Sequence, residues 1–163
     1  MQVVKNPITG SWELAESGGT IPRAAGEVQP CDPLRVLLVD DEAQTRKLYS
    51  LIIGQTFPPV TCDLAENGAR AVELFIEHHP LVIVMDIVMP VLDGEKAFYQ
   101  IEEHCQANQW QSPRVIFCTG YSPSIGLRNV VASDSAHCLL QKPIRKQVLV
   151  TALSKRLHLP PAT

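Results

Sequence analysis

Five polar residues of this chain could act together in phosphoryl chemistry, and each follows an apolar run. They are Asp40 and Asp41 after RVLLV, Asp86 after LVIVM, Thr119 after RVIFC, and Lys142 after HCLLQ. Carboxylate oxygens are ligands that Mg²⁺ prefers in proteins. A carboxylate beside Mg²⁺ and an ammonium group is a candidate nucleophile, which would form an aspartyl-phosphate. The residue types therefore predict phosphoryl transfer, provided that the fold brings these side chains together.

The elements that would position these residues alternate between short apolar strands and longer helices. Strands are predicted over residues 35–39, 60–65, 81–86, 114–118 and 137–141. Helices are predicted over residues 42–55, 67–79, 94–107, 123–132 and 144–158. Such alternation requires right-handed crossover connections between parallel strands. We therefore expect an α/β fold with a doubly wound, five-stranded parallel sheet and helices on both faces.

The carboxyl ends of parallel strands share one edge of a sheet, and ligands bind there at the switch point of the strand order. If the first and third of these strands are neighbours, Asp40, Asp41 and Asp86 converge at that edge. Thr119 and Lys142 would reach it from the next two strands. Three adjacent carboxylates repel one another unless a cation lies between them. The pattern therefore predicts a Mg²⁺ site at this edge.

Several of these residues also fit purely structural roles. Asp41 and Asp93 could cap helices, because Asp is a preferred N-cap residue. Thr119 could belong to a plain turn, and Lys142 could be a surface lysine before a proline. These roles do not explain why such residues follow the same end of four different strands.

The motifs resemble those of the receiver domain of two-component response regulators. VLLVDDE is similar to the acidic pair after the first strand, and MDIVMPVLDG to the phosphoacceptor strand and its loop. CTGY is similar to the Thr/Ser position of the fourth strand, and LLQKP to the Lys-Pro pair after the fifth. The resemblance covers residues 34–159 and implies a flavodoxin-like (βα)5 receiver fold.

The resemblance implies a magnesium-dependent phosphoacceptor site. Asp86 would take a phosphoryl group from a histidine kinase or a histidine phosphotransfer protein. The implied metal ligands are Asp40, Asp41, Asp86 and the backbone carbonyl of Val88. The implied contacts to the phosphoryl oxygens are Thr119 and Lys142, with a cis bond between Lys142 and Pro143. Catalysis would be limited to self-phosphorylation and self-dephosphorylation, so no enzymatic activity on another substrate is expected.

The chain departs from the family pattern three residues before Lys142. Leu139 occupies the position where the family carries a Tyr or Phe that rotates on phosphorylation, so the usual signal cannot pass through this residue. Tyr121, two residues after Thr119, could substitute in part. Val88 and Tyr121 are bulky and neither is an acid or an amide, which predicts slow self-dephosphorylation.

Partner choice is expected on the exposed side of the first predicted helix, beside the acidic residues. The candidate residues are Ala43, Thr45 and Arg46. The downstream protein target is unknown.

Residues 1–33 form an N-terminal extension that holds several Gly and Pro residues and so favours turns over packed elements. It is either a short hairpin, with its turn near Asn6-Pro7 or Thr9-Gly10, or a disordered tail. Residues 34–159 form the expected receiver, and residues 160–163 a short tail. We expect no output domain, so that the signal passes by protein contact. Two alternatives remain, a fragment of a hybrid histidine kinase and a receiver that acts as an interaction module without phosphorylation.

Composition limits the cellular setting. The formal net charge is −3 and the basic residues are scattered, so neither nucleic acid nor an anionic membrane is an expected partner. The five cysteines are odd in number and lack CxxC spacing, which argues against disulfides or a zinc site. The N-terminus lacks the apolar core of a signal peptide, and no apolar run approaches the length of a membrane span. A cytoplasmic protein is expected.

Overall fold

The computed structural model describes the backbone of residues 2–5 and 12–15, and the backbone and side chains of residues 26–163. Strand β1 (Gln2–Lys5) pairs antiparallel with β2 (Trp12–Ala15), which is the pairing that a hairpin requires. The predicted turn positions near Asn6-Pro7 and Thr9-Gly10 lie outside the described residues.

The remaining strands form one five-stranded sheet in which all neighbours are parallel. They are β3 (Asp32–Val39), β4 (Thr61–Ala65), β5 (Pro80–Asp86), β6 (Arg114–Thr119) and β7 (Cys138–Gln141). Their order across the sheet is β4-β3-β5-β6-β7. The predicted parallel sheet is confirmed, and β3 and β5 are neighbours at the point where the strand order reverses.

In the described part of the chain, four helices connect these strands and a fifth follows β7. They are α1 (Ala43–Thr56), α2 (Gly68–His78), α3 (Gly94–Asn108), α4 (Ile125–Ser133) and α5 (Lys146–Leu157). Helices α1 and α5 pack together on one face of the sheet, and α2 and α3 pack together on the other. Every residue of β5 is buried, as expected for the central strand of a sheet covered on both faces. None of the helices in the described part of the chain is long and apolar enough to cross a membrane.

Two glycines hold the loop after β5 close to its neighbours. A Cβ atom on Gly94 would collide with the carbonyl oxygen of Asp86, and one on Gly68 would collide with the carbonyl oxygen of Leu92. The backbone N–H of Gly68 donates to that Leu92 carbonyl at 3.0 Å. Only glycine permits such close approaches of the backbone. The loop is therefore fixed at both ends, and it leaves the carboxylate of Asp86 at the edge of the sheet.

The chain enters the sheet earlier than the sequence predicts, because β3 begins at Asp32 rather than after Leu34. The segment before it lies along the loop between α3 and β6. The backbone N–H of Gln29 donates to the carbonyl of Gln109 at 2.9 Å, and the N–H of Gln111 donates back to Gln29 at 2.7 Å. This junction lies at the amino ends of the strands, away from the edge that carries the acidic residues.

Candidate functional site

Three carboxylates meet at the carboxyl edge of the sheet, as predicted. Asp86 is the last residue of β5, Asp40 follows the neighbouring strand β3 directly, and Asp41 comes next in the chain. One oxygen of each carboxylate lies within 4.8 Å of the others. Asp40 and Asp86 are only 4% and 8% exposed, whereas Asp41 faces solvent. The cluster thus combines two buried oxygen donors with an accessible third, which suits a divalent cation with oxygen ligands.

Lys142 places its ammonium group among these carboxylates. Its Nζ atom lies 2.8 Å from Asp40 Oδ2 and 3.3 Å from Asp86 Oδ2. The residue follows β7, where its backbone N–H donates to the carbonyl of Thr119 at 2.8 Å. The bond between Lys142 and Pro143 is cis, as the resemblance implies. Lys142 therefore contacts both carboxylates from the end of β7, which lies two strands away from β5 in the sheet.

Burial and the neighbouring charges shift the pKa values of Asp86 and Lys142. Burial raises the pKa of Asp86, the positive charge of Lys142 lowers it, and the negative charge of Asp40 raises it again, so that the pKa lies above the usual value. For Lys142, burial lowers the pKa, but the hydrogen bond to Asp40 and the charges of Asp40 and Asp86 outweigh it, and the pKa is raised. The single positive charge of Lys142 does not neutralise the three carboxylates, so their oxygen atoms suit an additional cation.

Asp40 is held by contacts that sequence reasoning missed. Its Oδ1 atom accepts the backbone N–H of Glu42 at 2.9 Å, and its carbonyl accepts a hydrogen bond from the guanidinium of Arg46 at 2.6 Å. Arg46, predicted as a partner-selecting surface residue, is half-buried and fixes the backbone of Asp40. The sequence did offer one signal for this contact, because Arg46 is a positively charged residue near the start of the helix that follows Asp40 and Asp41.

The two capping alternatives have different outcomes. Helix α1 has Glu42 at its N-cap position, so the interpretation of Asp41 as the cap of that helix is wrong. Asp93 does cap α3, because its Oδ1 atom accepts the backbone N–H of Lys96 at 2.8 Å. Asp41 is thus left free of a capping role and belongs to the acidic cluster.

Thr119 is buried at the end of β6, and its hydroxyl is engaged by the next loop. Its Oγ1 atom donates to the carbonyl of Tyr121 at 3.1 Å and accepts the backbone N–H of Tyr121 at 3.0 Å. The side chain of Tyr121 is 73% exposed. The Thr119 hydroxyl can therefore donate to a new acceptor only if its hydrogen bond to the Tyr121 carbonyl breaks.

Two further predicted positions flank this edge. Val88 lies in the loop after β5 and is 56% exposed, and its role as a metal ligand through the backbone carbonyl stays a prediction.

Leu139 lies on β7 opposite Phe117 of β6 and packs, half-buried, against the core. A packed aliphatic side chain therefore fills the position where the resemblance calls for a rotating aromatic ring.

A flavodoxin-like sheet with a carboxylate cluster, a threonine and a lysine at its carboxyl edge defines the receiver class of two-component signalling proteins. A family model described as the response regulator receiver domain matches residues 36–154. The chain belongs to this family.

Similar proteins agree with this assignment. The chemotaxis protein CheY of Halobacterium salinarum is 34% identical over 120 residues, which cover 74% of this chain and 93% of that protein. CheY of Bacillus subtilis is 32% identical over 125 residues, covering 76% and 98%. One chain in the co-crystal structure of the Saccharomyces cerevisiae histidine phosphotransfer signaling protein Ypd1 with the receiver domain of its downstream response regulator Ssk1 has a similar fold. Its TM-score is 0.65 at 22% identity, with 80% of this chain and 91% of that chain covered.

Proposed function

We propose that this receiver accepts a phosphoryl group on Asp86 and signals by protein contact. The observation that carries the proposal is the position of Lys142, whose Nζ atom lies within 3.3 Å of Asp86 and hydrogen-bonds Asp40. An ammonium fixed against the acceptor carboxylate is placed to offset the charge that the phosphoryl oxygens bring.

In the proposed reaction, an Asp86 carboxylate oxygen attacks the phosphorus atom of a phosphohistidine. The new P–O bond forms as the P–N bond breaks, and the imidazole leaves and takes up a proton. Lys142 and the Thr119 hydroxyl contact the transferred oxygens. Mg²⁺ held by Asp40, Asp41, Asp86 and the carbonyl of Val88 would neutralise the charge of the phosphoryl group. The chain would catalyse only its own phosphorylation and dephosphorylation.

The proposed phosphoryl donor is a histidine kinase or a histidine phosphotransfer protein, and the recipient of the signal is another protein. The yeast co-crystal structure pairs a phosphotransfer protein with a receiver domain, which supports a donor of this kind. The net charge of −3 favours neither nucleic acid nor an anionic membrane as a partner. We propose a cytoplasmic location, consistent with five free cysteines.

The phosphoacceptor role is tested by incubating the purified chain with acetyl phosphate and Mg²⁺ and measuring its intact mass. We expect a gain of one phosphoryl group that disappears when Mg²⁺ is chelated. Asp86→Asn should abolish the gain, whereas Asp93→Asn, a nearby isosteric control that keeps a good helix cap, should retain it. A gain that survives Asp86→Asn, or no gain in the unmodified chain, would contradict the proposal.

A second candidate function is an interaction module that acts without phosphorylation. The observation in its favour is Leu139, because an aliphatic side chain packed against the core cannot make the ring rotation of the family. The same mass measurement separates the two functions, since a pure interaction module has no need to retain an Mg²⁺-dependent mass gain on Asp86.

A further inference from the structure

A cavity separate from the acidic cluster opens beside the edge strand β7. It has a volume of about 830 Å³ and lies between β7, helix α5 and the loop that precedes β7. Its apolar lining consists of Ala136, Cys138, Leu140, Val148 and Ala152. The size falls in the range of small-molecule sites, which are mostly apolar with a few polar groups that orient the ligand.

Positive charge dominates the remainder of the lining. Arg114, Lys155 and Arg156 contribute three permanent positive charges, and Asp134 contributes the one carboxylate of the lining. Two positive charges are therefore left without compensation. Among residues 26–163, no carboxylate lies within ion-pair distance of any of these three cations.

The two arginines are held in place by neutral groups. Arg156 is only 8% exposed, and its guanidinium donates to the carbonyl of Ala136 at 2.9 Å and to the carbonyl of Ala152 at 3.0 Å. The guanidinium of Arg114 donates to the carbonyl of Arg156. Carbonyl oxygens fix the positions of these groups, and those at the C-terminal end of α5, where Lys155 and Arg156 lie, offset only part of their positive charge. A buried cation without a counter-charge is costly, so the cavity favours an anion.

The positive field also reaches the apolar wall of the cavity. Burial raises the pKa of the Cys138 thiol, while the charges of Arg156 and Lys155 lower it. The cationic and apolar parts of the lining are therefore close enough to act on one ligand. Thr151 and Gln147 of the same lining add a hydroxyl and an amide for hydrogen bonds.

We propose that this cavity binds a small organic phosphate, with the phosphate against Arg114, Lys155 and Arg156 and the apolar body over Cys138 and Leu140. A phosphomonoester carries about −1.5 to −2 charges at pH 7, which matches the two uncompensated positive charges better than a carboxylate does. Guanidinium groups also suit the geometry of phosphate oxygens.

The cations proposed to bind the phosphate lie away from Asp86. Arg114 is the first residue of β6, and Lys155 and Arg156 lie in the last turn of α5, whereas Asp86 is the last residue of β5. The apolar end of the cavity comes closer, because Leu140 is two residues before Lys142. Binding of the phosphate should therefore not require Asp86. A failure of the phosphoacceptor proposal would leave this proposal standing, and the reverse also holds.

The test is a titration of the ¹⁵N-labelled full chain, followed by two-dimensional NMR, with adenosine 5′-monophosphate as the probe. We expect saturable shifts of the backbone amides of Ser135, Thr151 and Lys155. Adenosine and inorganic phosphate, each lacking one half of the probe, should bind at least about tenfold more weakly. No saturable shift up to about 10 mM probe would overturn the proposal, as would equal binding of inorganic phosphate, which would show an anion site only.

Two substitutions of exposed residues test the position of the site without disturbing the core. Lys155→Glu should weaken binding about tenfold through loss of a charge-assisted contact, and Thr151→Trp should block the cavity. Lys47→Glu on α1 is the matched control, because it makes the same charge change at an exposed lysine outside the cavity. Arg156 is unsuitable for substitution, since its buried guanidinium also joins Ala136 to α5. Equal affinity in Lys155→Glu and Lys47→Glu would overturn the proposed location.

Discussion

The hydroxyl group of Thr119 forms two hydrogen bonds with the backbone of Tyr121. It donates to the Tyr121 carbonyl at 3.1 Å and accepts the Tyr121 N–H at 3.0 Å. A hydroxyl has a single proton to donate. A hydrogen bond from Thr119 to a phosphoryl group on Asp86 therefore requires the bond to the Tyr121 carbonyl to break. Because Tyr121 belongs to the loop before α4, this exchange supplies a path from the site that does not pass through Leu139.

The first prediction follows from this exchange. Phosphorylation should shift the ¹³C resonance of the Tyr121 backbone carbonyl, because the hydrogen bond that this oxygen accepts from the Thr119 hydroxyl is lost. In Thr119→Ala the Tyr121 carbonyl should show the shifted resonance before phosphorylation. Thr151→Ala, a threonine substitution on α5, is the control and should leave this resonance unchanged. An unchanged Tyr121 carbonyl resonance in the phosphorylated chain would contradict the proposed path.

The sheet and its acidic edge could be predicted because local sequence carries both. Four of the five strands contain an apolar run, β4 alternates polar and apolar residues, and Asp40, Asp86, Thr119 and Lys142 stand at the same end of their strands. The only remaining assumption, that β3 and β5 are neighbours, follows from the usual strand order of this fold. The strands, the helices and the meeting of these side chains could therefore be predicted without knowledge of long-range contacts.

The features that sequence reasoning missed depend on the path of the backbone. Asp32 and Pro33 lack the apolar character of a buried strand, and β3 starts there because Asp32 N–H donates to the carbonyl of His79 at 2.6 Å. Arg46 likewise bonds a carbonyl oxygen rather than a side chain. Every residue has a carbonyl, so residue types alone do not identify such partners.

The second prediction concerns His137, a buried histidine that accepts the backbone N–H of Val115 on its Nδ1 atom at 3.0 Å. Burial lowers its pKa below the usual value of 6.5, and Arg156 also lowers it, against the opposing charge of Asp134. The unfolded chain therefore binds a proton more readily than the folded chain. The contribution of His137 to stability is complete above pH 6.5 and is lost as the pH falls towards the folded pKa.

Urea unfolding at pH 7.5 and pH 5.5 measures this effect. The unmodified chain should lose more stability on acidification than His137→Gln, in which position 137 no longer titrates. His158→Gln, the matched substitution at an exposed histidine, should keep the full pH dependence. If His137→Gln and the unmodified chain respond equally to pH, the assignment of the acid sensitivity to His137 is wrong.

The third prediction concerns the repulsion within the acidic cluster. Because burial and Asp40 raise the pKa of Asp86, its ionised form disfavours the folded state at pH 7. Asp86→Asn should therefore increase the free energy of unfolding of the metal-free chain, by roughly 1 kcal/mol. The gain should shrink as the pH falls through the raised folded pKa, where Asp86 of the unmodified chain takes up a proton.

Added Mg²⁺ should reverse this ranking. A cation bound by the three carboxylates stabilises the folded chain by about 2.7 kcal/mol at a concentration of 100 times its Kd. Asp86→Asn removes one ligand and should gain less, while Asp93→Asn should respond like the unmodified chain. Thermal unfolding with and without Mg²⁺ checks both points, and an equal response of Asp86→Asn to Mg²⁺ would contradict the metal assignment.

The fourth prediction concerns the lifetime of the phosphoryl group. Hydrolysis requires a water molecule held in line with the phosphorus atom, and an acid or amide side chain beside the site could hold it. Val88 and Tyr121, both exposed, offer neither group at the positions expected to flank this water. The phosphorylated chain should therefore have a half-life of minutes or longer with Mg²⁺ present, as measured by loss of the phosphoryl mass after removal of acetyl phosphate.

Val88→Asn should shorten this half-life about tenfold, because its amide can hydrogen-bond the attacking water while the backbone carbonyl at position 88 is kept. Val91→Asn is the matched control in the same loop. Val91 is also exposed and has a positive φ of 69°, a conformation that Asn tolerates. A half-life of seconds in the unmodified chain, or the same acceleration by both substitutions, would show that the side chain at position 88 does not limit hydrolysis.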